Sequence, residues 1–230
     1  MKQTVTTGIV LSRTNFGEAD RIVTMLTPDY GKIRGLAKGV RKVKSKLAGG
    51  IELFSVSDIS FIKGRGEVST ITSTRLKTHY GNIVKDVNRT MFGYELLKII
   101  NRSTEDNVGE EYFILLKNGL AGLNDDKLNQ QLIELWLYMQ LLKLGGHSPN
   151  LKTGVEGSKL SDKQKYTFDF DKMAFAVHSA GQYDAKYIKL LRLAIGLDSP
   201  LALQKLQDAD KVLGQCSQLA KAMLGQYIRL

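Results

Sequence analysis

Three histidines (His79, His147 and His178) and a single cysteine, Cys216, hold most of the catalytic and metal-binding potential of this 230-residue chain. They stand in unrelated contexts, with no recognisable nucleophile motif beside them. Asp125-Asp126 and Asp169-Phe170-Asp171 bring carboxylates together and have the chemistry to hold Mg²⁺. Such pairs far more often cap helices or line solvated turns. Glu18 and Asp20-Arg21 suggest a local salt bridge before they suggest acid–base work. The chain has no Gly-x-x-x-x-Gly-Lys-Ser/Thr phosphate loop, and Gly64-Arg65-Gly66 is too short for a dinucleotide fingerprint. Cys216, in a helical pattern carrying several leucines, reads as a small core residue. These residues predict a protein that is not an enzyme and uses no cofactor.

The cations point elsewhere. Lys and Arg outnumber Asp and Glu by 33 to 23, a net charge of +10. Residues 1–80 hold fourteen of the bases and six of the acids, so +8 of that charge lies in the first third of the chain. Between Lys32 and Lys46 stand Lys32, Arg34, Lys38, Arg41, Lys42, Lys44 and Lys46, with no acid among them. Gly35, Gly39, Gly49 and Gly50 punctuate and flank the run. Phosphate binding needs cations on flexible stems and small residues that let backbone amides come close. The predicted partner is therefore a nucleic acid, held by phosphate-dominated and sequence-tolerant contacts. The expected nucleic-acid-binding residues are Arg13, Arg21, Tyr30, Lys32, Arg34, Lys38, Arg41, Lys42, Lys44, Lys46, Lys63 and Arg65. Tyr30, in a turn beside the basic run, is the stacking candidate, while Phe54 and Phe61 read as core.

These residues have to be positioned by strands. Ile9-Val10-Leu11 is one apolar run, and Arg21 to Thr27 a second, rich in β-branched residues. Pro28-Asp29-Tyr30-Gly31 supplies a turn into Lys32 to Ala37, predicting a hairpin. Phe54 to Ile62 alternates apolar and polar, and Lys63-Gly64-Arg65-Gly66-Glu67 turns it into Val68 to Thr74. Five strands without an intervening helix suit a small closed barrel of the OB type. After His79 the period becomes helical, through Phe92, Leu96, Ile99 and Ile100, then Phe113, Leu116 and Leu120. Asp126 to Leu144 is the strongest helical pattern, with Asp125-Asp126 as its expected cap and Gly145-Gly146 as its stop. Residues 184–195 and 208–229 predict two more helices, and 147–183 are irregular, weakly strand-like around Tyr166-Thr167-Phe168. The expected architecture is α+β: an OB-fold domain at 1–79, then a helical domain at 80–230.

Several function classes fall away. No apolar run approaches the ~20 residues of a membrane helix. One cysteine precludes an intrachain disulfide and fits a reducing cytosol, as does an opening without a signal-peptide pattern. A cytoplasmic protein is the expectation.

Several of these segments carry a resemblance. Gly8-Ile9-Val10-Leu11, Gly17 to Val23, and Tyr30 to Gly39 resemble the amino-terminal block of RecO, a family of bacterial recombination mediators. The likeness runs through Lys44 to Gly49 and the Phe54 strand into Gly64-Arg65-Gly66. Leu144 to Leu151 is similar to the family's Leu-Gly-aromatic-x-Pro-x-Leu segment. The resemblance implies an OB fold followed by helices, binding of single- and double-stranded DNA, annealing of complementary strands, and help in loading the recombinase. It implies RecR and the acidic, apolar-tipped tail of the single-stranded DNA-binding protein as partners. One departure stands out. Where many relatives carry paired Cys-x-x-Cys motifs for zinc, this chain has Gly154 and Gly157, with His178 and Gly181 near the second pair. Zinc needs about four thiolate or imidazole ligands, so no metal is expected here. An RNA-binding or ribosome-associated OB module stays open as the alternative, and an anionic-membrane adaptor is disfavoured.

Overall fold

The computed structural model describes residues 3–64, 66–106, 108–205 and 210–228. The chain divides into two compact units, Met1–Asp125 and Asp126–Leu230.

The first unit is built on five strands: β1 (Gln3–Phe16), β2 (Asp20–Thr27), β3 (Gly31–Ala37), β4 (Ser55–Ile62) and β5 (Val68–His79). They close in the order β1-β2-β3-β5-β4, antiparallel throughout except for a parallel β3–β5 pair over Arg34–Leu36. This is the OB-fold topology expected from the strand count. β1 is far longer than its apolar centre implied. Its first half, Gln3 to Ile9, pairs with β4, and from Ile9 onward it pairs with β2, with an irregularity between Val10 and Ser12. One long strand serving two neighbours in turn is how a small sheet closes on itself.

Val10, Val23, Met25, Ala37, Ile59 and Ile71 fill the interior, joined by Val40 and Ile51 from the β3–β4 connection. That connection is anchored by its apolar residues, with Leu47, Ala48 and Leu53 also packed on the core.

The expected change from strand to helix falls at His79, but the compact unit does not end there. Helices α1 (Val87–Ser103) and α2 (Glu110–Asn124) belong to it. α1 packs on β1 and α2 on β2. Phe54, at a positive φ of 55°, turns its ring onto Tyr94 of α1 at 5.1 Å. Asp86 caps α1 by accepting from the Arg89 amide, and the Arg89 guanidinium donates to the carbonyls of Leu123 and Asp125 at the end of α2. The barrel's outer apolar residues need cover, and two helices supply it.

In the second unit, α3 (Gln130–Leu144) is buried nearly all round. It starts four residues later than its expected N-terminus, and its cap is Asn129, which accepts from the Gln131 amide at 2.9 Å. Asp125-Asp126 is not the cap. Leu128 is buried ahead of the first turn, so tertiary packing sets the start. Gly145 and Gly146 end the helix as expected, Gly146 at φ 76°. The buried Trp136 donates to the Leu197 carbonyl at 2.7 Å, and Gln140 Nε2 to those of Ala194, Ile195 and Leu197. α4 (Ala185–Gly196) and α5 (Asp210–Gly225) flank α3.

Residues 147–183 contain a hairpin, β6 (Tyr166–Asp169) with β7 (Ala174–Val177). Packing holds it: Phe175 meets Tyr166, Phe168 and Tyr183 edge-on at 6.1, 5.1 and 5.7 Å. At Gly181 an added Cβ would come within 2.5 Å of the Tyr166 backbone, so a cysteine does not fit there without movement. His147 stacks on Tyr227 at 3.6 Å, and His178 is exposed. No cluster of three or more His, Cys, Asp or Glu able to hold a metal occurs among the described residues.

Cys216 is fully buried, and burial, followed by the charge of Asp184, pushes its thiol up to about 12. A thiol that far above its ordinary value carries almost no thiolate at neutral pH. Native protein at pH 8 is therefore expected to resist alkylation by iodoacetamide and to react fully once unfolded in guanidinium. Labelling of the native form at the rate of a free cysteine would contradict this burial.

Candidate nucleic-acid interface

The basic residues of the barrel do not form one patch. β2 and β3 are seven to eight residues long, so their two ends stand about 20 Å apart. Cations gather at both ends, with Arg34 on the strand face between them.

At one end the β1–β2 hairpin meets the basic loop that follows β3. The Gly39 amide donates to the Asp20 carboxylate at 2.7 Å, and the Arg41 amide to the Ala19 carbonyl at 2.9 Å. The Arg41 guanidinium reaches the Gly17 carbonyl, and Thr74 on β5 ties down the Leu47 carbonyl. Lys38, Arg41, Lys42, Lys44 and Lys46 are all exposed on this loop. Among the described residues none of the five is paired with an acid. The pattern has a simple cause: Val40, Leu47 and Ile51 point into the core, and the cations between them face water. Arg21, on β2, donates to the Asn15 side chain of the same hairpin.

At the other end the β2–β3 turn lies beside the β4–β5 turn. Tyr30, Arg34, Lys63, Glu67, Ser69 and Asp106 line an open cleft of about 500 Å³. The Tyr30 ring stands edge-on to Phe61 at 5.8 Å, with the Lys63 ammonium 6.0 Å from its centroid. Arg34 lies 3.9 Å from the Glu67 carboxylate, both exposed to solvent, a pairing worth little in water. Arg65 lies outside the described residues.

Two of the expected site residues are committed elsewhere. Arg13 pairs with Glu52 at 2.8 Å and reaches the Ile51 carbonyl, closing the barrel end. Lys32 donates from Nζ to the carbonyls of Asn101 and Thr104, at 3.0 and 2.6 Å. It thereby satisfies the C-terminal end of α1, where unpaired carbonyls and the helix dipole favour a cation. Lys32→Met is expected to lower stability by about 1–3 kcal/mol in urea unfolding. The salt dependence of any nucleic-acid binding should stay unchanged. A normal unfolding midpoint with weakened binding would reverse this assignment.

Residue-by-residue reading missed three things here. Phe16 is 53% exposed at the tip of the β1–β2 hairpin, and Val43 is fully exposed between Lys42 and Lys44. Arg75 and Lys77 add positive charge on β5, where Lys77 binds Asp58 at 2.7 Å. That hydrogen bond, despite partial desolvation and helped by Thr7, holds the Asp58 carboxyl below its usual value. A hairpin turn directly after an aromatic residue was the available signal for Phe16.

Among the described residues no helix is long and apolar enough to cross a membrane. Residues 1–80 match the family model described as Recombination protein O N terminal. Over 208 residues the chain is 27% identical to the DNA repair protein RecO of Alkaliphilus metalliredigens, covering 90% of this chain and 84% of that one. It is 34% identical over 148 residues to the protein of that name from Dehalococcoides mccartyi, covering 64% of this chain. That match spans 58% of the relative's length. The same name belongs to a Streptomyces griseus protein 34% identical over 163 residues, with 65% of each chain covered.

Proposed function

Because this chain belongs to the RecO family of DNA repair proteins, we propose that it binds DNA on its barrel and anneals complementary single strands. One observation carries the reading. Five exposed cations, none with an acidic partner among the described residues, stand on a loop pinned to the barrel, beside the β2–β3 face that OB folds use for oligonucleotides. Annealing needs no chemical turnover from the protein. Cations neutralise the phosphates of two strands and lower their repulsion while bases pair, so affinity falls steeply with salt and depends little on sequence.

In this reading the protein also assists recombinase loading, in the cytoplasm and on the nucleoid. Its partners are RecR and the acidic, apolar-tipped tail of the single-stranded DNA-binding protein, with the helical half serving the protein contacts. Both partners come from the family reading.

The test is annealing of labelled complementary oligonucleotides without nucleotide. The parent is compared with a variant carrying Arg34, Lys38, Arg41, Lys42 and Lys44 all changed to Ala. The parent should accelerate annealing, and the variant, with an unchanged melting temperature, should not. No acceleration by the parent would overturn the annealing reading and favour an RNA-binding role. Equal acceleration by both proteins would move the site off this surface.

A further inference from the structure

Phe16 is the last residue of β1, paired in register with Asp20, and only Gly17, Glu18 and Ala19 separate the two strands. Gly17 takes a φ of 57°, which lets the chain reverse tightly and leaves the Phe16 side chain outside the barrel core. Thr14, Asn15, Gly17 and Glu18 around it are exposed as well. A ring held at a hairpin tip is available to an occupant, and covering it recovers the solvation free energy of its exposed face.

Its surroundings say which kind. The hairpin is tied to the basic loop by the Gly39, Arg41 and Arg41-to-Gly17 hydrogen bonds. These place Arg41 and Lys38 on the same end of the barrel as the ring, with Arg21 one register position away on β2. Two acids lie nearby: Asp20 is engaged by the Gly39 amide, and Glu18 is exposed at the tip. A flat apolar face set among cations complements a ligand with flat apolar faces and an anionic backbone. Unpaired nucleotides have both, and their bases stack on aromatic side chains at roughly 1–3 kcal/mol each. In a duplex the base faces are already stacked and unavailable. Tyr30, at the opposite end of β2, is less free, because Phe61 and Lys63 already occupy its ring.

We propose that Phe16 is a stacking platform for an unpaired base, with Arg41 and the adjoining loop cations holding the phosphates that flank it. This rests on the DNA-binding reading and adds a preference for single strands over duplex. The chain contains one tryptophan, Trp136, which is buried in the second unit, so Phe16→Trp adds an exposed reporter.

Three ligands are titrated, with binding followed independently by anisotropy: oligothymidine, an abasic deoxyribose-phosphate strand of equal length, and a duplex. The Phe16→Trp emission should be quenched by oligothymidine and not by the abasic strand, with the parent's Trp136 signal as control. Phe16→Ala should bind oligothymidine about tenfold more weakly and the abasic strand and duplex within about twofold of the parent. Equal quenching by both strands, or unchanged oligothymidine affinity in Phe16→Ala, overturns the stacking role and leaves DNA binding standing. Failure of the parent to bind any of the three would remove the DNA-binding reading itself and this inference with it.

Discussion

Changing Arg34, Lys38, Arg41, Lys42 and Lys44 together to Ala is expected to weaken single-stranded DNA binding by roughly 10²- to 10³-fold near physiological salt. Each phosphate neutralised on a single strand releases about 0.7 of a counterion. Five lost contacts should therefore flatten the slope of log affinity against log salt by about 3.5. The variant should remain folded, because all five side chains are exposed. Among the described residues the only side-chain bonds removed are the Arg34–Glu67 contact at 3.9 Å and the Arg41 bond to the Gly17 carbonyl at 3.4 Å. Surface contacts of this kind contribute at most about 1 kcal/mol each. Arg13 and Lys32 are the control, since their charges are spent on Glu52 and on the α1 carbonyls. Replacing those two should leave the slope alone. A slope that is unchanged in the five-residue variant would mean that the strand lies elsewhere, whatever happens to the affinity.

Gly31→Ala should cause the largest loss of stability of any single change discussed above, about 3 kcal/mol, and lower the melting temperature by roughly 10 °C. Gly31 has a φ of 59°, and an added Cβ would stand 2.3 Å from the Asp106 carbonyl oxygen and 2.9 Å from the Val108 amide nitrogen. Both neighbours are backbone, so neither can swing aside. The Lys32 amide donates to that same Asp106 carbonyl at 3.0 Å, and displacing it would also disturb the Lys32 cap on α1. Gly17 provides the comparison. Its φ of 57° is nearly the same, but nothing lies within 4 Å of the position a Cβ would take. Gly17→Ala should therefore cost only the conformational strain, about 1 kcal/mol. The difference between the two variants in urea unfolding isolates the contact of the β2–β3 turn with Asp106 and Val108. Equal losses would show that this contact contributes nothing.

Much of the barrel was legible along the chain because its signals are local. The alternation from Phe54 to Ile62, the Pro28-Asp29-Tyr30-Gly31 turn and the β-branched run from Arg21 to Thr27 each depend on residues a few positions apart. Helix periodicity and Gly145-Gly146 placed α3's body and end for the same reason. Charge is also local in this sense: the acid-free interval from Lys32 to Lys46 is visible without any fold.

Tertiary structure decided what depends on closing long loops. Lys32 and Arg41 look alike in sequence, yet Lys32 finds carbonyls some seventy positions away on α1 while Arg41 stays exposed. β1 runs from Gln3 because β4 supplies partners for Thr4, Thr6 and Thr7, polar residues that no apolar pattern would assign to a buried sheet. α1 and α2 join the barrel because its outer face needs apolar cover, which helical spacing alone does not reveal. Phe16 and Phe61 are the same residue type in adjoining strands, one 53% exposed and the other fully buried. The chain by itself determined the OB-type strand set, the helices that follow and the positive charge. Only the folded structure decided which cations and which aromatic ring remain free, because a side chain's freedom depends on neighbours that distant segments bring to it.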